Sequence, residues 1–214
     1  VEFIDLSHSL TDGLPNFASD PQIRIHPAAA IPAAPCNVSE LTLSSHQGTH
    51  VDAPYHFYGD GRTVDNIPLE RFFGPATVVD LAPGGCLDPH TPLTVDHFRP
   101  HGAKFTPGAR VLYRTGWDQQ FGQKIFFEAF PSLTPEAAEW IAATGISLLG
   151  MDTPTPGVDF LACHLALLAP GVEIIIVEGL TRLEQLPARF TLAAFPLKIH
   201  HGDGSPIRAV ALVD

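Results

Sequence analysis

Ser45-His46-Gln47-Gly48-Thr49-His50-Val51-Asp52-Ala53-Pro54-Tyr55-His56-Phe57 packs three imidazoles and a carboxylate into the eleven residues from His46 to His56. Gly48 permits a sharp turn between His46 and His50. If the chain is extended after that turn, His50 and Asp52 share one face and Val51 takes the other. Pro54 bends the backbone again and turns His56 toward the same space. Imidazole nitrogens beside a carboxylate suit zinc, manganese or iron(II), not calcium or magnesium. A single strand histidine is ordinarily a satisfied surface or core residue. Three of them with an aspartate, around Gly and Pro, point instead to a metal site. Spacing alone leaves open which metal binds and whether there are one or two ions.

Further along, Cys163-His164-Leu165 precedes a strand ending Ile176-Val177-Glu178-Gly179. A carboxylate ending so apolar a strand is costly to bury without a cation or donors; the alternative is that Glu178 faces water. Cys163 beside His164 has no visible orienting partner and reads as a small packing residue. His200-His201 fit a turn before Gly202, and His90, His97 and His101 fall in a proline-rich, solvated stretch. Asp152 is read as orienting a ligand or capping the turn after it, and Arg208 as structural.

Around these motifs, short β-branched runs predict strands at 3–6, 38–43, 76–81, 110–113, 147–151, 172–177, 190–194 and 209–213. A helix is predicted from Thr134, with Pro135 at its first position and Gly145 as its stop. A second helix is predicted over 160–168, with short helical turns near 69–73 and 95–98. The proline-rich stretch 27–35 reads as an irregular loop inside one domain. Interspersed strands and two convincing helices predict a strand-rich α/β fold. The 214 residues, with 45% hydrophobic and 16% charged side chains, are globular in composition and fit a single domain over 1–214.

The net charge of −11 argues against nucleic-acid binding and against an anionic membrane surface. No apolar run reaches the roughly 18 residues of a bilayer span. The start, Val-Glu-Phe-Ile-Asp-Leu, has neither a basic nor a long apolar region, so it is not expected to be a signal peptide; it also lacks an initiator Met. Three scattered cysteines make no disulfide framework and indicate a reducing compartment, read as cytoplasmic.

His46-Gln-Gly-Thr-His50-Val-Asp52-Ala-Pro-Tyr-His56-Phe resembles the signature of the cyclase family of metal-dependent hydrolases, which includes bacterial-type kynurenine formamidases and isatin hydrolases. The resemblance runs nearly end to end, through Ile4-Asp5-Leu6-Ser7-His8-Ser9-Leu10, Leu149-Gly150-Met151-Asp152-Thr153-Pro154, Val177-Glu178-Gly179-Leu180 and Gly202-Asp203-Gly204-Ser205-Pro206-Ile207-Arg208. It implies a swivelling β/β/α single domain that forms homo-oligomers, dimeric or dimer-based. It implies His46, His50, Asp52, His164 and Glu178 as metal ligands, with Asp52 and Glu178 bridging, and His56 as the catalytic acid/base. The cofactor implied is zinc or manganese, as one or two ions. Where family formamidases carry a Trp in the N-terminal loop, this chain has Phe17, expected to stack on the substrate ring. The activity implied is hydrolysis of a small-molecule amide, as in N-formylkynurenine, by metal-activated water. The alternatives are opening of a lactam such as isatin, or a non-catalytic protein that binds metal or ligand.

Overall fold

The computed structural model describes residues 1–213. Its strands are β1 (Glu2–Asp5), β2 (Arg24–Ala29), β3 (Val38–Thr42), β4 (His50–Asp52), β5 (Phe73–Asp80), β6 (Pro92–Leu93), β7 (Arg110–Arg114), β8 (Ser132–Leu133), β9 (Leu148–Met151), β10 (Ile175–Glu178), β11 (Arg189–Ala193), β12 (Gly204–Pro206) and β13 (Val210–Val213). The helices are α1 (Val95–Phe98), α2 (Ile125–Glu128), α3 (Pro135–Ala143) and α4 (Phe160–Leu168). Short 3-10 turns fill several connections. The fold is mixed α/β, rich in strands and poor in helices, as expected.

Nine strands form one sheet in the order β1-β13-β11-β5-β7-β9-β10-β4-β12. Its centre, β5-β7-β9-β10, is parallel, and the flanking pairs are antiparallel. The central strands are apolar on both faces, as strands covered on both sides must be. Along β10, Ile175 and Val177 enter one core and Ile176 the other. The second core is roofed by α3 and α4, through Ala137, Ile141, Leu167 and Leu168. The first core is lined by strands from both ends of the chain, with Ile4, Val51, Leu192 and Ala211 among its members.

Helix α3 begins where the sequence predicts. The Thr134 side chain accepts from Ala137 N, Pro135 opens the first turn, and Gly145 follows the end at φ +74°. One expectation fails. The proline-rich stretch 27–35 is not wholly irregular, because β2 runs to Ala29 and pairs antiparallel with β3. This two-stranded arm is mostly exposed, so it shows no core-facing alternation to read. Strand β5 likewise starts three residues before the predicted run, at Phe73, because pairing with β11 extends through Pro75 and Gly74.

Candidate metal centre

The strand that carries the motif is short and sits between β10 and β12. His50 and Asp52 leave β4 on one face, while Val51 enters the apolar core on the other. Glu178 is the register partner of His50 on β10. Thr49 Oγ1 donates to Gly179 O at 2.6 Å and accepts from His8 N at 3.0 Å, fixing the approach to β4 against the end of β10. His164 arrives from α4, whose first turn is capped by Asp159.

These groups converge in the interior. Asp52 and Glu178 are 1% and 3% exposed, His50 4% and His164 1%. His50 Nε2 lies 3.1 Å from Glu178 Oε2 and 3.5 Å from Asp52 Oδ1. His164 Nε2 lies 3.5 Å from both Asp52 Oδ2 and Glu178 Oε1. Each of these imidazoles is oriented by its other nitrogen. His50 Nδ1–H donates to Gly48 O at 2.9 Å, and His164 Nδ1–H donates to Phe160 O at 2.7 Å. When the rings are neutral, that tautomer aims both Nε2 lone pairs at carboxylate oxygens, the usual arrangement of metal-ligating histidines. His50 Nε2, Asp52 Oδ2 and Glu178 Oε1 are buried without hydrogen-bond partners. Lone pairs crowded on lone pairs in a dry interior are resolved by a cation, so the donor set fits a divalent ion.

His46 completes the other side of Asp52. Its Nδ1 is 2.7 Å from Asp52 Oδ1 and its Nε2 2.8 Å from Asp203 Oδ2. His56 packs against His46 at a tilt of 30°, with ring centroids 3.9 Å apart, and its Nδ1 lies 3.6 Å from Asp203 Oδ2. Asp52 thus belongs to two ligand-like groups, one with His50 and Glu178 and one with His46 and His56. The field of these acids is strong. Burial opposes protonation of His46, yet Asp52 and Asp203 raise it to about 11. Burial likewise opposes His164, which Asp52 and Glu178 raise to about 9. Burial works to raise Asp52, but His46, His164 and His50 hold it well below the usual carboxylate range. Asp203 is lowered chiefly by its hydrogen bonds to His46 and His56.

The cluster opens into a cavity of about 370 Å³ walled by Phe17, Phe126, Phe127, Phe130 and Phe160. All seven expected site residues, Phe17 included, line it. The sequence reading gave no role to Asp203, which lies in the quoted Gly202-Asp203-Gly204 block, nor to the aromatic run 121–130. His8 stands behind this wall, not in it: its ring stacks on Phe121 at 3.7 Å and 5°. Burial pushes His8 down to about 4. Asp152 is fully buried and does not line the cavity. It accepts from Thr115 N, Thr115 Oγ1 and Gly116 N, anchoring the turn after β7. Glu178 does not face water, Cys163 is buried packing, and Arg208 pairs with Asp5 at the surface.

Residues 4–158 match the family model described as a putative cyclase. The chain belongs to the cyclase family. It is 34% identical over 182 residues to a kynurenine formamidase from Bordetella avium, covering 84% of this chain and 82% of that one. It is 36% identical over 181 residues to a kynurenine formamidase from Salinibacter ruber, covering 81% and 79%. Among solved structures, an isatin hydrolase bound to the product analogue thioisatinate superposes with a TM-score of 0.86 at 30% identity. That match covers 99% of this chain and 92% of that one. No helix among the described residues is long and apolar enough to cross a membrane.

Proposed function

We propose that this hydrolase of the cyclase family cleaves the C–N bond of an aromatic amide, with N-formylkynurenine hydrolysed to kynurenine and formate as the leading reaction. The observation that carries the reading is the pair of Nε2 lone pairs, from His50 and His164, aimed at the same two buried carboxylates. Relatives named kynurenine formamidase support the substrate.

His46, His50, Asp52, His164 and Glu178 would hold zinc or manganese, as one ion or as two bridged by Asp52 and Glu178. Held there, a divalent ion supplies a water acidified toward neutrality and a polarised substrate carbonyl. His56 takes the proton of the attacking water and returns it to the leaving nitrogen, a two-way task suited to an imidazole. Asp203, hydrogen-bonded to His46 and close to His56, keeps both rings oriented. Phe17, with Phe127 and Phe160, packs the substrate ring and excludes water. Opening of a cyclic amide by the same groups is the second reading, favoured by the superposition on isatin hydrolase.

A homodimer or dimer-based assembly is proposed as well, because the cavity lining leaves Val158 66% and Phe160 43% exposed. Sedimentation of the purified protein tests it. Elemental analysis of unchelated protein, then assay of N-formylkynurenine and isatin with added zinc or manganese, tests the rest. Stoichiometric metal with turnover of one substrate is expected. Absence of metal uptake overturns the reading.

A further inference from the structure

Beyond the ligand cluster, the cavity wall carries aromatic rings, two acids and several neutral side chains. Asp20 and Glu128 line it, and no lysine or arginine does, although the chain has 12 of them. The two acids flank one aromatic pair. Asp20 N donates to Phe17 O at 3.0 Å, Glu128 directly follows Phe127, and the Phe17 and Phe127 rings meet edge-on with centroids 5.0 Å apart. The Asp20 carboxylate accepts from the Ser19 and Ser44 hydroxyls at 3.2 and 3.5 Å. The ion pairs of lysine and arginine among the described residues engage neither acid.

A second observation marks the same cavity as a ligand site. Gln47 lines it, is 1% exposed, and its Oε1 has no hydrogen-bond partner. A buried amide oxygen left unpaired is unfavourable, and the N–H of a bound amide completes it.

We propose that Asp20 and Glu128 form a cation-selective rim: the substrate is an aryl amide or lactam whose distal part carries an ammonium or no charge, with Gln47 pairing to its amide. This rests on the amide-hydrolase reading and names the substrate class within it. A bare carboxylate at the rim meets two like charges and no lysine or arginine, a form of exclusion by charge. An amino-acid side chain is accepted through its ammonium, with its own carboxylate turned out to water.

The test compares formanilide, 3-(aminomethyl)formanilide and 3-formamidobenzoate as substrates of the metal-loaded full chain. The corresponding anilines are titrated calorimetrically as product ligands. The ammonium compound is expected to exceed the carboxylate by about tenfold or more, in kcat/KM and in affinity, with the ratio shrinking as salt is added. In the D20N/E128Q double variant the ratio is expected to fall below about threefold. Q47L is expected to raise KM for all three formamides several-fold while leaving their order intact. Hydrolysis of the three formamides without preference, or with the carboxylate favoured, overturns the rim and leaves the hydrolase reading standing. Selective binding of the ammonium product with no turnover of any formamide overturns the hydrolase reading and leaves the rim standing. An unaltered ratio in the double variant overturns the assignment to Asp20 and Glu128, and an unaltered KM for the formamides in Q47L overturns the role of Gln47.

Discussion

His50 and Glu178 face each other as register partners across the β4–β10 ladder, with His50 Nε2 3.1 Å from Glu178 Oε2. The pairing brings an imidazole and a carboxylate from distant parts of the chain into one group that could hold an ion. Glu178→Gln keeps the shape and removes the charge. It is expected to lower bound metal below half of the wild-type stoichiometry and to cut turnover by more than about 100-fold, beyond what loss of an outer partner produces. Elemental analysis beside a rate measurement checks both. A fully metallated Glu178→Gln enzyme would remove Glu178 from the ligand set.

His56→Ala separates proton transfer from metal binding. Turnover is expected to fall by about 10²–10⁴-fold, the usual contribution of a positioned acid/base. Metal content should stay at the wild-type level. Metal lost together with activity would make His56 a ligand alongside His46 and Asp52, with which it already groups.

Phe17→Ala tests ring packing. Removing one face of an aromatic slot is expected to cost about tenfold in KM, equivalent to about 1.4 kcal/mol of buried apolar area. Because the ring contacts substrate and transition state alike, kcat should change much less. Steady-state kinetics on an aromatic amide checks the split.

His8 makes stability depend on pH through burial. In the folded chain it stays neutral down to about pH 4, whereas the unfolded chain protonates near ~6.5. Above that value neither state binds the proton and nothing is lost. Between ~6.5 and ~4 only the unfolded chain binds it, so stability falls as pH falls, by up to about 1.4 kcal/mol per unit. His8→Phe keeps a ring against Phe121 and removes this term. Urea unfolding at pH 7 and pH 5 should show the wild type losing about 2 kcal/mol more than the variant. Equal losses would mean that His8 is protonated in the folded state.

Gly179 turns the chain after Glu178 at φ +61°, and a Cβ there would lie 2.7 Å from Gly48 O. Gly179→Ala is therefore expected to destabilise by about 2 kcal/mol or more, lowering Tm by about 4–8 °C. Differential scanning calorimetry checks it.

The candidate site was legible in part because its chemistry is local: His46, His50, Asp52 and His56 lie within eleven residues around a glycine and a proline. His164 and Glu178 were legible through family resemblance, since no local pattern separates a strand-end Glu178 in water from one buried on a cation. Strands β7 and β9–β11 were legible in their apolar runs because tertiary pairing reinforced local propensity. Strand β2 was hidden by its exposure and its Pro27, features that ordinarily mark loops. Asp203 was hidden because its task arises only when β12 pairs with β4 and brings it beside His46. The aromatic wall was hidden because a Phe-rich run reads equally as core.

The proposed ion cage and the proposed substrate walls are built from different material. His50, Asp52 and Glu178 stand on β4 and β10, whereas Phe17, Asp20, Phe127 and Glu128 come from the N-terminal loop and the short helix α2. Mutational drift in those peripheral segments can therefore retune which molecules are admitted while the hydrolytic engine stays intact, and a library confined to residues 14–20 and 121–130 is the natural route to new amides.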